Sequence, residues 1–283
     1  MSFIKKPYIL LWTIYSFFSI AVNAQTLEES LLFADKQFEL KNDRLALKEY
    51  QRVLFFNDGK NLDYIYTQIA TVYFRQQNYL QAAHNYELAY KTSNSDSLKT
   101  ELIFKKASCY MLDNKFRMAT FELMNLADSS DIQYTKRKNF YFAVCYWGLE
   151  EFDKAKDAFL SIVPEKKAAD KEKIEQLFAK KKNLYRPNPK TAKIMSMILP
   201  GSGQIYSGDI KNGLNSVLLT GGFVILGIYM TEYYTFLDAF LTAVPWFLRY
   251  YQGGYQKAEK IATHKRDKRR DKTYKEILKT IAN

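Results

Sequence analysis

The sequence predicts an all-α protein, a superhelix of about four helical hairpins followed by a helical hairpin in a membrane. Three observations lead to this fold class. Alanines recur at a nearly constant spacing within residues 25–163, two largely apolar runs follow at 214–231 and 233–248, and basic residues gather beside those runs. The repeat predicts stacked helices, and the apolar runs predict helices that need a lipid or protein environment.

The chain begins with a predicted secretion signal at residues 1–24. Two lysines precede an uncharged, mostly apolar run at 8–22, and Val22 and Ala24 stand at the small-residue positions that a signal peptidase reads. We therefore expect cleavage before Gln25 and export of the remaining chain. An uncleaved N-terminal anchor is the alternative, and it exports the following residues too.

The alanines of the first half recur with a period of about 36 residues, which indicates an internal repeat. Each is followed 12 residues later by a second alanine, with a turn-like sequence such as LKND or RQQN between them. Small residues let two helices approach closely, so each unit is predicted to be a helical hairpin that stacks on the next. The pairs are Ala34 and Ala46, Ala70 and Ala82, Ala107 and Ala119, and Ala143 and Ala155.

The best-defined unit, 63–94, places Tyr66 and Tyr73 around Ala70 and follows with Ala82. This pattern resembles the tetratricopeptide repeat, and the resemblance covers roughly half of the chain. It implies a non-enzymatic protein that holds a protein or peptide partner in a groove lined by the first helix of each hairpin. Each groove aromatic could instead belong to the core. The groove positions carried over are Tyr64, Thr67, Thr71, Phe74, Arg75, Phe104, Met111, Arg137, Phe140 and Trp147.

The two cysteines, Cys109 and Cys145, occupy the same position in adjacent repeat units. Equivalent positions on packed helices are separated by about 8–10 Å. A disulfide needs Cα atoms within about 7 Å. We therefore predict two thiols at buried apolar positions.

The Lys-rich segment 164–190 follows the repeats and is predicted to be a helix that caps the last hairpin, or else lies on a membrane surface. Beyond it, 214–231 is just long enough to cross a membrane, whereas 233–248 is interrupted by Asp238 and Pro245. The uncharged run 194–208 would cover only about 22 Å as a helix. Buried helices of a soluble domain are the alternative to these spans.

The positive charge of the chain lies in its C-terminal part. Residues 25–163 hold 18 basic and 19 acidic residues, whereas 164–283 hold 22 and 11. Such asymmetry is typical of proteins that bind nucleic acid or anionic membranes. Export argues against nucleic acid, so lipid is the predicted contact of 191–283. A basic tail favours the cytoplasmic side, which predicts three membrane segments; a two-segment hairpin with an external tail is the alternative.

The stretch ILPGSGQIYSGDIKNG precedes the longer apolar run and does not match any of three catalytic or cofactor motifs. Asp209 replaces the lysine of a phosphate-binding loop, and Tyr206 replaces the last glycine of a dinucleotide-binding turn. Pro200 replaces the first glycine of a nucleophilic serine elbow. We therefore predict no enzyme activity, no catalytic residue, no cofactor and no metal site.

The same stretch resembles a family of small bacterial membrane domains of unknown function, frequent in Bacteroidetes. The matching residues are Pro200, Gly201, Gly203, Gln204, Tyr206, Gly208 and Gly213. The predicted domains are a signal peptide (1–24), repeats (25–163), a basic linker and capping helix (164–190), a membrane domain (191–256) and a basic tail (257–283).

These observations predict a membrane-anchored adaptor or scaffold of the bacterial cell envelope, with periplasmic repeats and an anchor that favours the inner membrane. The alternative is a component of an envelope transport or assembly machine whose hairpin is itself active. Asp238 motivates that alternative, because carboxylates inside a membrane are costly and often functional. Its simpler explanation is a position at the interface end of a short hairpin.

Overall fold

A computed structural model describes residues 26–282 of the protein. This range contains 13 α-helices and one short 3₁₀ helix, and no strand. The all-α prediction is therefore confirmed for the described residues. The predicted signal peptide, 1–24, lies outside them. The chain divides into two compact units, with the boundary between Ser130 and Asp131.

The first unit consists of three helical hairpins. Its helices are α1 (Leu27–Glu39), α2 (Asp43–Phe56), α3 (Leu62–Arg75), α4 (Tyr79–Thr92), α5 (Asp96–Leu112) and α6 (Phe116–Met124). Each odd-numbered helix packs on the helix that follows it, and neighbouring hairpins also pack on one another. The predicted alanine pairs of these hairpins are fully buried, as close helix crossings require. The helical repeat predicted from the alanines is therefore confirmed in this unit.

The turn inside each hairpin repeats with the period of the alanines. Lys41, Gln77, Asn114 and Glu150 adopt left-handed backbone conformations, with φ between 57° and 63°. The residue after each donates its amide to a carbonyl five residues earlier, as in the 2.9 Å bond from Asn78 N to Tyr73 O. This bond satisfies a carbonyl at the end of the first helix. The short polar sequences between the alanines therefore form one turn, built four times.

The cores of the first unit join adjacent hairpins rather than single ones. Ile65 and Ile69 of α3 pack with Tyr50 of α2 in one cluster of buried side chains. Leu102 and Cys109 of α5 pack with residues of α3 and α4 in the next. A single hairpin cannot bury its apolar face, so stacking supplies the missing cover.

The second unit contains the fourth hairpin and all the C-terminal helices. They are α7 (Ile132–Gly148), α8 (Phe152–Ile162), α9 (Ala168–Ala179), a 3₁₀ helix (Lys181–Tyr185), α10 (Pro189–Ile198), α11 (Ser202–Tyr206), α12 (Ile210–Tyr233) and α13 (Phe236–Ala282). The predicted boundary at residue 163 does not coincide with the observed division. The reason is that α7 and α8 share one core with α9 and the end of α13.

Helix α13 is the longest described helix, and its 47 residues extend over about 70 Å. Its first half packs antiparallel to α12: Phe223 stacks on Trp246, with ring centroids 6.4 Å apart, and Gly254 faces Ser216. Its end packs into the fourth hairpin. One unbroken helix therefore connects the apolar hairpin of α12 and α13 with the last helical repeat.

The amphipathic end of the basic tail is part of a protein core. Ile277 is fully buried among Phe159, Ile174 and Phe178, and Tyr274 packs against the same cluster. The sequence predicted a lipid contact for 191–283, and the apolar end of the tail instead packs against protein side chains. The capping interpretation of α9 agrees with the burial of Ile174 and Phe178.

The run predicted as a third membrane segment is not a single helix. The run 194–208 is divided between α10 and the five-residue α11 by a turn at Leu199–Gly201, so it forms no continuous spanning helix. The tail also contacts the fourth hairpin, and both must therefore lie on the same side of any membrane that α12 and α13 cross. Among the described helices, Ile210–Tyr233 alone is long and apolar enough to cross a membrane by length and composition.

Candidate functional site

The predicted groove residues of α3 lie at the surface but also hold the hairpins together. The Tyr64 hydroxyl donates to Asp35 at 2.9 Å, and the side chain of Tyr64 remains 39% exposed. Thr67 and Thr71 are partly exposed, and each hydroxyl donates to the carbonyl four residues earlier on α3. These three residues leave an accessible polar face on the helix.

Phe74 and Arg75 contribute mainly to packing. The Arg75 guanidinium forms an ion pair with Asp43 and lies 3.9 Å from the centre of the Phe38 ring. Phe74 meets the Tyr79 ring edge-on at 5.6 Å. Arg75 therefore connects the second hairpin to the first, and its charge is compensated within the chain.

Two predicted groove positions on other helices pack against cores of the protein, one of them completely. Phe104 is fully buried, so its assignment to the groove is wrong. The Trp147 ring lies 5.0 Å from Phe152 and 5.4 Å from Tyr274, between centroids, and therefore packs in the core formed with the tail. Trp147 is partly exposed, and the protein's own α13 covers the rest of its ring.

The remaining groove positions differ in their surroundings. Phe140 is partly buried against the core of the fourth hairpin, which leaves it little surface for a partner. Met111 and Arg137 are partly exposed, and the Arg137 guanidinium lies 5.8 Å from the centre of the Tyr141 ring. Tyr64 and Arg75 are therefore the exposed groove positions of α3, and Thr67, Thr71, Met111 and Arg137 are partly exposed.

Both cysteines are buried thiols, in agreement with the sequence prediction. Burial raises the pKa of the Cys109 thiol to about 12. The thiolate is the reactive form of cysteine, so Cys109 is protected from oxidation in the folded protein.

The glycine-rich motif joins α10, α11 and α12 by close backbone contacts. Gly201 has φ of +88°, and a Cβ there would collide with the carbonyl oxygen of Gly213 and with Val217. Gly203 lies so close to α10 that a Cβ would overlap the carbonyl of Ala192. Only glycine permits both the left-handed turn and this approach.

Gln204 is the polar centre of the motif and is fully buried. Its side-chain oxygen accepts a 2.6 Å hydrogen bond from the Ser196 hydroxyl, which itself accepts from the Gly203 amide at 2.9 Å. Its side-chain amide donates to the carbonyl oxygen of Gly254 at 2.9 Å. Gln204 therefore ties α10 and α11 to the middle of α13, with its oxygen and its nitrogen both satisfied.

The other motif residues also make contacts within the chain. The Tyr206 hydroxyl accepts from the Asn188 amide at 3.2 Å, and the Gly208 carbonyl accepts from Lys265 Nζ at 2.7 Å. Asp209 begins α12 by accepting from the amide of Asn212 at 3.1 Å. These contacts give the motif a structural role at the base of the α12 and α13 hairpin.

Backbone amides in the motif donate within the chain, so they do not form the open nest that a phosphate-binding loop provides. The amide of Ser202 donates to Leu199 O, that of Ile205 to Gly201 O, and that of Ser207 to Gly203 O. The Ser202 hydroxyl likewise donates to the carbonyl of Leu199 at 2.7 Å.

The surface of the α12 and α13 hairpin above the motif is apolar and exposed. Leu218, Ile225, Phe236, Leu237 and Leu241 are each between 63% and 74% exposed. Nothing in the described chain covers this surface, which is far larger than the scattered apolar residues of a typical soluble protein.

Asp238 lies at the tip of this hairpin, at the start of α13. Its carboxylate accepts from the backbone amide of Thr235 at 3.2 Å, and its own amide donates to the Thr235 hydroxyl at 3.2 Å. This reciprocal arrangement is a capping box, which satisfies amides at the start of a helix. The carboxylate that motivated a transport role therefore caps the first turn of α13 at the tip of the hairpin.

A cavity of about 320 Å³, lined by both polar and apolar residues, opens beside the motif and was not anticipated from the sequence. Asn212, Asn215 and Ser216 of α12 line one side, and Arg249 and Lys257 of α13 line the other. The sequence feature that could have predicted this cavity is the spacing of the polar residues 212, 215 and 216. This spacing places them on one side of an otherwise apolar helix.

Comparisons with protein-family models, with curated proteins and with solved structures find no match to this chain. Within residues 26–282, no three or more His, Cys, Asp and Glu side chains are grouped so that they could hold a metal ion.

Proposed function

We propose that this protein is a non-enzymatic, membrane-anchored adaptor of the bacterial cell envelope, which holds a protein partner on tetratricopeptide-like repeats. The observation that carries the proposal is the continuity of α13. This single helix forms half of an exposed apolar hairpin and ends in the core of the fourth repeat hairpin. An anchor built in this way fixes the adjoining repeat hairpin rigidly to the membrane surface.

The dimensions and surface of the hairpin support the membrane part of the proposal. At 1.5 Å per residue, the 24 residues of α12 extend about 36 Å, enough to cross a hydrocarbon core of about 30 Å. The first part of α13 would make the second crossing beside it. Tyr229, Tyr233 and Tyr234 gather near the tip, where aromatic residues are typical of a membrane interface.

The membrane contact can be tested by extraction of membranes with alkaline carbonate. We expect the wild-type protein to remain with the lipid and the double variant Leu218→Asp, Ile225→Asp to be released or degraded. The matched control is Phe55→Asp, Phe56→Asp, which changes two exposed apolar residues of the first unit. Release of the wild type, or equal release of both variants, would contradict the anchor.

The partner contact can be tested with a photo-crosslinking amino acid in the full chain in native membranes. We expect a covalent adduct from position 64 on α3 and none from position 48, an exposed lysine on α2. The adduct should disappear when Thr67 and Thr71 are both replaced by Ala. Absence of an adduct at position 64, or the same adduct at both positions, would contradict the groove.

A further inference from the structure

The cavity between α12 and α13 brings together several groups that can bind an anion. Two cations, Arg249 and Lys257, line it together with side-chain amides of Asn212 and Asn215, and no carboxylate is among its lining residues. Neither cation forms an ion pair with a residue in the described range. Arg249 instead lies near the Trp246 ring, 5.6 Å from its centre.

The hydroxyl of Ser216 is a second, independent feature that favours a polar ligand in this cavity. Its Oγ atom is buried and has no hydrogen-bond partner within the described chain. It lies against Gly254, where an added Cβ would come within 2.7 Å. A buried hydroxyl without a partner is unfavourable, so a ligand oxygen in the cavity would satisfy it.

Asp209, whose carboxylate interacts with Lys257, already accepts hydrogen bonds from Asn212. The carboxylate of Asp209 accepts from both the amide and the side chain of Asn212, at 3.1 and 2.7 Å. These hydrogen bonds hold the pKa of Asp209 below its ordinary value, and the charges of Lys265 and Lys257 lower it further. Asp209 therefore compensates only part of the positive charge at the cavity.

The position of the cavity along the hairpin indicates which kind of anion can reach it. Ser216 faces Gly254 in the antiparallel pair, so Arg249 stands about level with Gly221. That level is about 16 Å along α12 from its start, among exposed apolar side chains. A cation at this depth is costly unless it reaches a polar partner at the interface.

We propose that this cavity binds the phosphate of an anionic phospholipid in the leaflet on the repeat side of the membrane. The guanidinium of Arg249 and the ammonium of Lys257 hold the phosphate oxygens. The side-chain amides of Asn212 and Asn215 donate hydrogen bonds to these oxygens, and the Ser216 hydroxyl donates one more. The acyl chains lie along the exposed apolar face of the hairpin. The inference rests on the proposed membrane insertion of α12 and α13.

Native mass spectrometry of the full chain in detergent tests the site, with phosphatidylglycerol and phosphatidylcholine as the added lipids. We expect phosphatidylglycerol to be retained preferentially and Arg249→Gln to weaken its retention about tenfold. Arg249→Lys should restore part of the retention, because it keeps the charge. The control Lys268→Gln removes one exposed charge from the same helix outside the cavity and should leave retention unchanged.

Several outcomes would overturn the lipid site. These are equal retention of both lipids, equal losses in Arg249→Gln and Lys268→Gln, or failure of Arg249→Lys to recover any retention while the variant melts like the wild type. Displacement by millimolar inorganic phosphate without preference for the lipid would indicate a site for a soluble anion instead. Carbonate extraction of the same variants reports on membrane insertion separately, so failure of the anchor is distinguishable from failure of the site.

Discussion

Removing the side chain of Ile277 tests whether the tail really completes the core of the fourth hairpin. Ile277 is fully buried, and its cluster includes Phe159, Ile174 and Phe178. Ile277→Ala deletes three carbons at about 0.8 kcal/mol each, or about 2.4 kcal/mol of transfer free energy. The cavity left between rigid aromatic rings raises the expected loss of unfolding free energy to about 3–4 kcal/mol.

The assay is unfolding of the full chain in detergent, followed by the fluorescence of Trp147, whose ring lies 5.4 Å from that of Tyr274. At about 2–4 °C per kcal/mol for a unit of this size, we expect the midpoint to fall by about 6–16 °C. Lys275→Ala, an exposed substitution two residues earlier, is the control and should change the midpoint by less than about 2 °C.

An unchanged midpoint in Ile277→Ala would refute the reasoning, because a side chain outside a core leaves no cavity. The tail would then be a solvated or lipid-bound segment. The tail and the repeats would then not be required to lie on the same side of the membrane.

Three further predictions follow from the second unit. Gln204→Leu should lower the unfolding free energy by about 1–3 kcal/mol in denaturant titrations, because the hydrogen bonds that join α11 to α10 and to α13 are lost. Stability equal to wild type would show that the network does not form. Cysteines at exposed positions Lys272 and Tyr234 should react with a membrane-impermeant reagent from opposite sides of the membrane, and labelling of both from one side would contradict two crossings. Hydrogen bonds from Arg270 hold the pKa of Glu150 below its ordinary 4.5, so their contribution to stability is present above pH 4.5 and is lost as pH falls through the lowered pKa. Glu150→Gln should therefore show a weaker acid-induced loss of stability than wild type, and identical pH profiles would contradict this.

The periodic and compositional features of the protein were determined by the sequence alone. Two local requirements repeat visibly along the chain. A small residue stands at each helix crossing, and a left-handed turn follows seven residues after Ala34 and after each of its equivalents. The length and low charge of Ile210–Tyr233 likewise follow from composition. Glycine at 201 and 203 is the residue type that permits close backbone approach, and the structure contains that approach at both positions.

The tertiary structure decided which apolar stripes meet. Tyr274 and Ile277 form a short amphipathic pattern that suits water, lipid or a protein core equally well, and their contact with Phe178 joins residues nearly a hundred positions apart. The same contact covers Trp147, whose pattern on α7 fitted a groove as well as a core. Local periodicity states that a face is apolar, but it does not state what covers that face. Which residues cover the face depends on the course of α13, whose C-terminal end packs against the fourth hairpin.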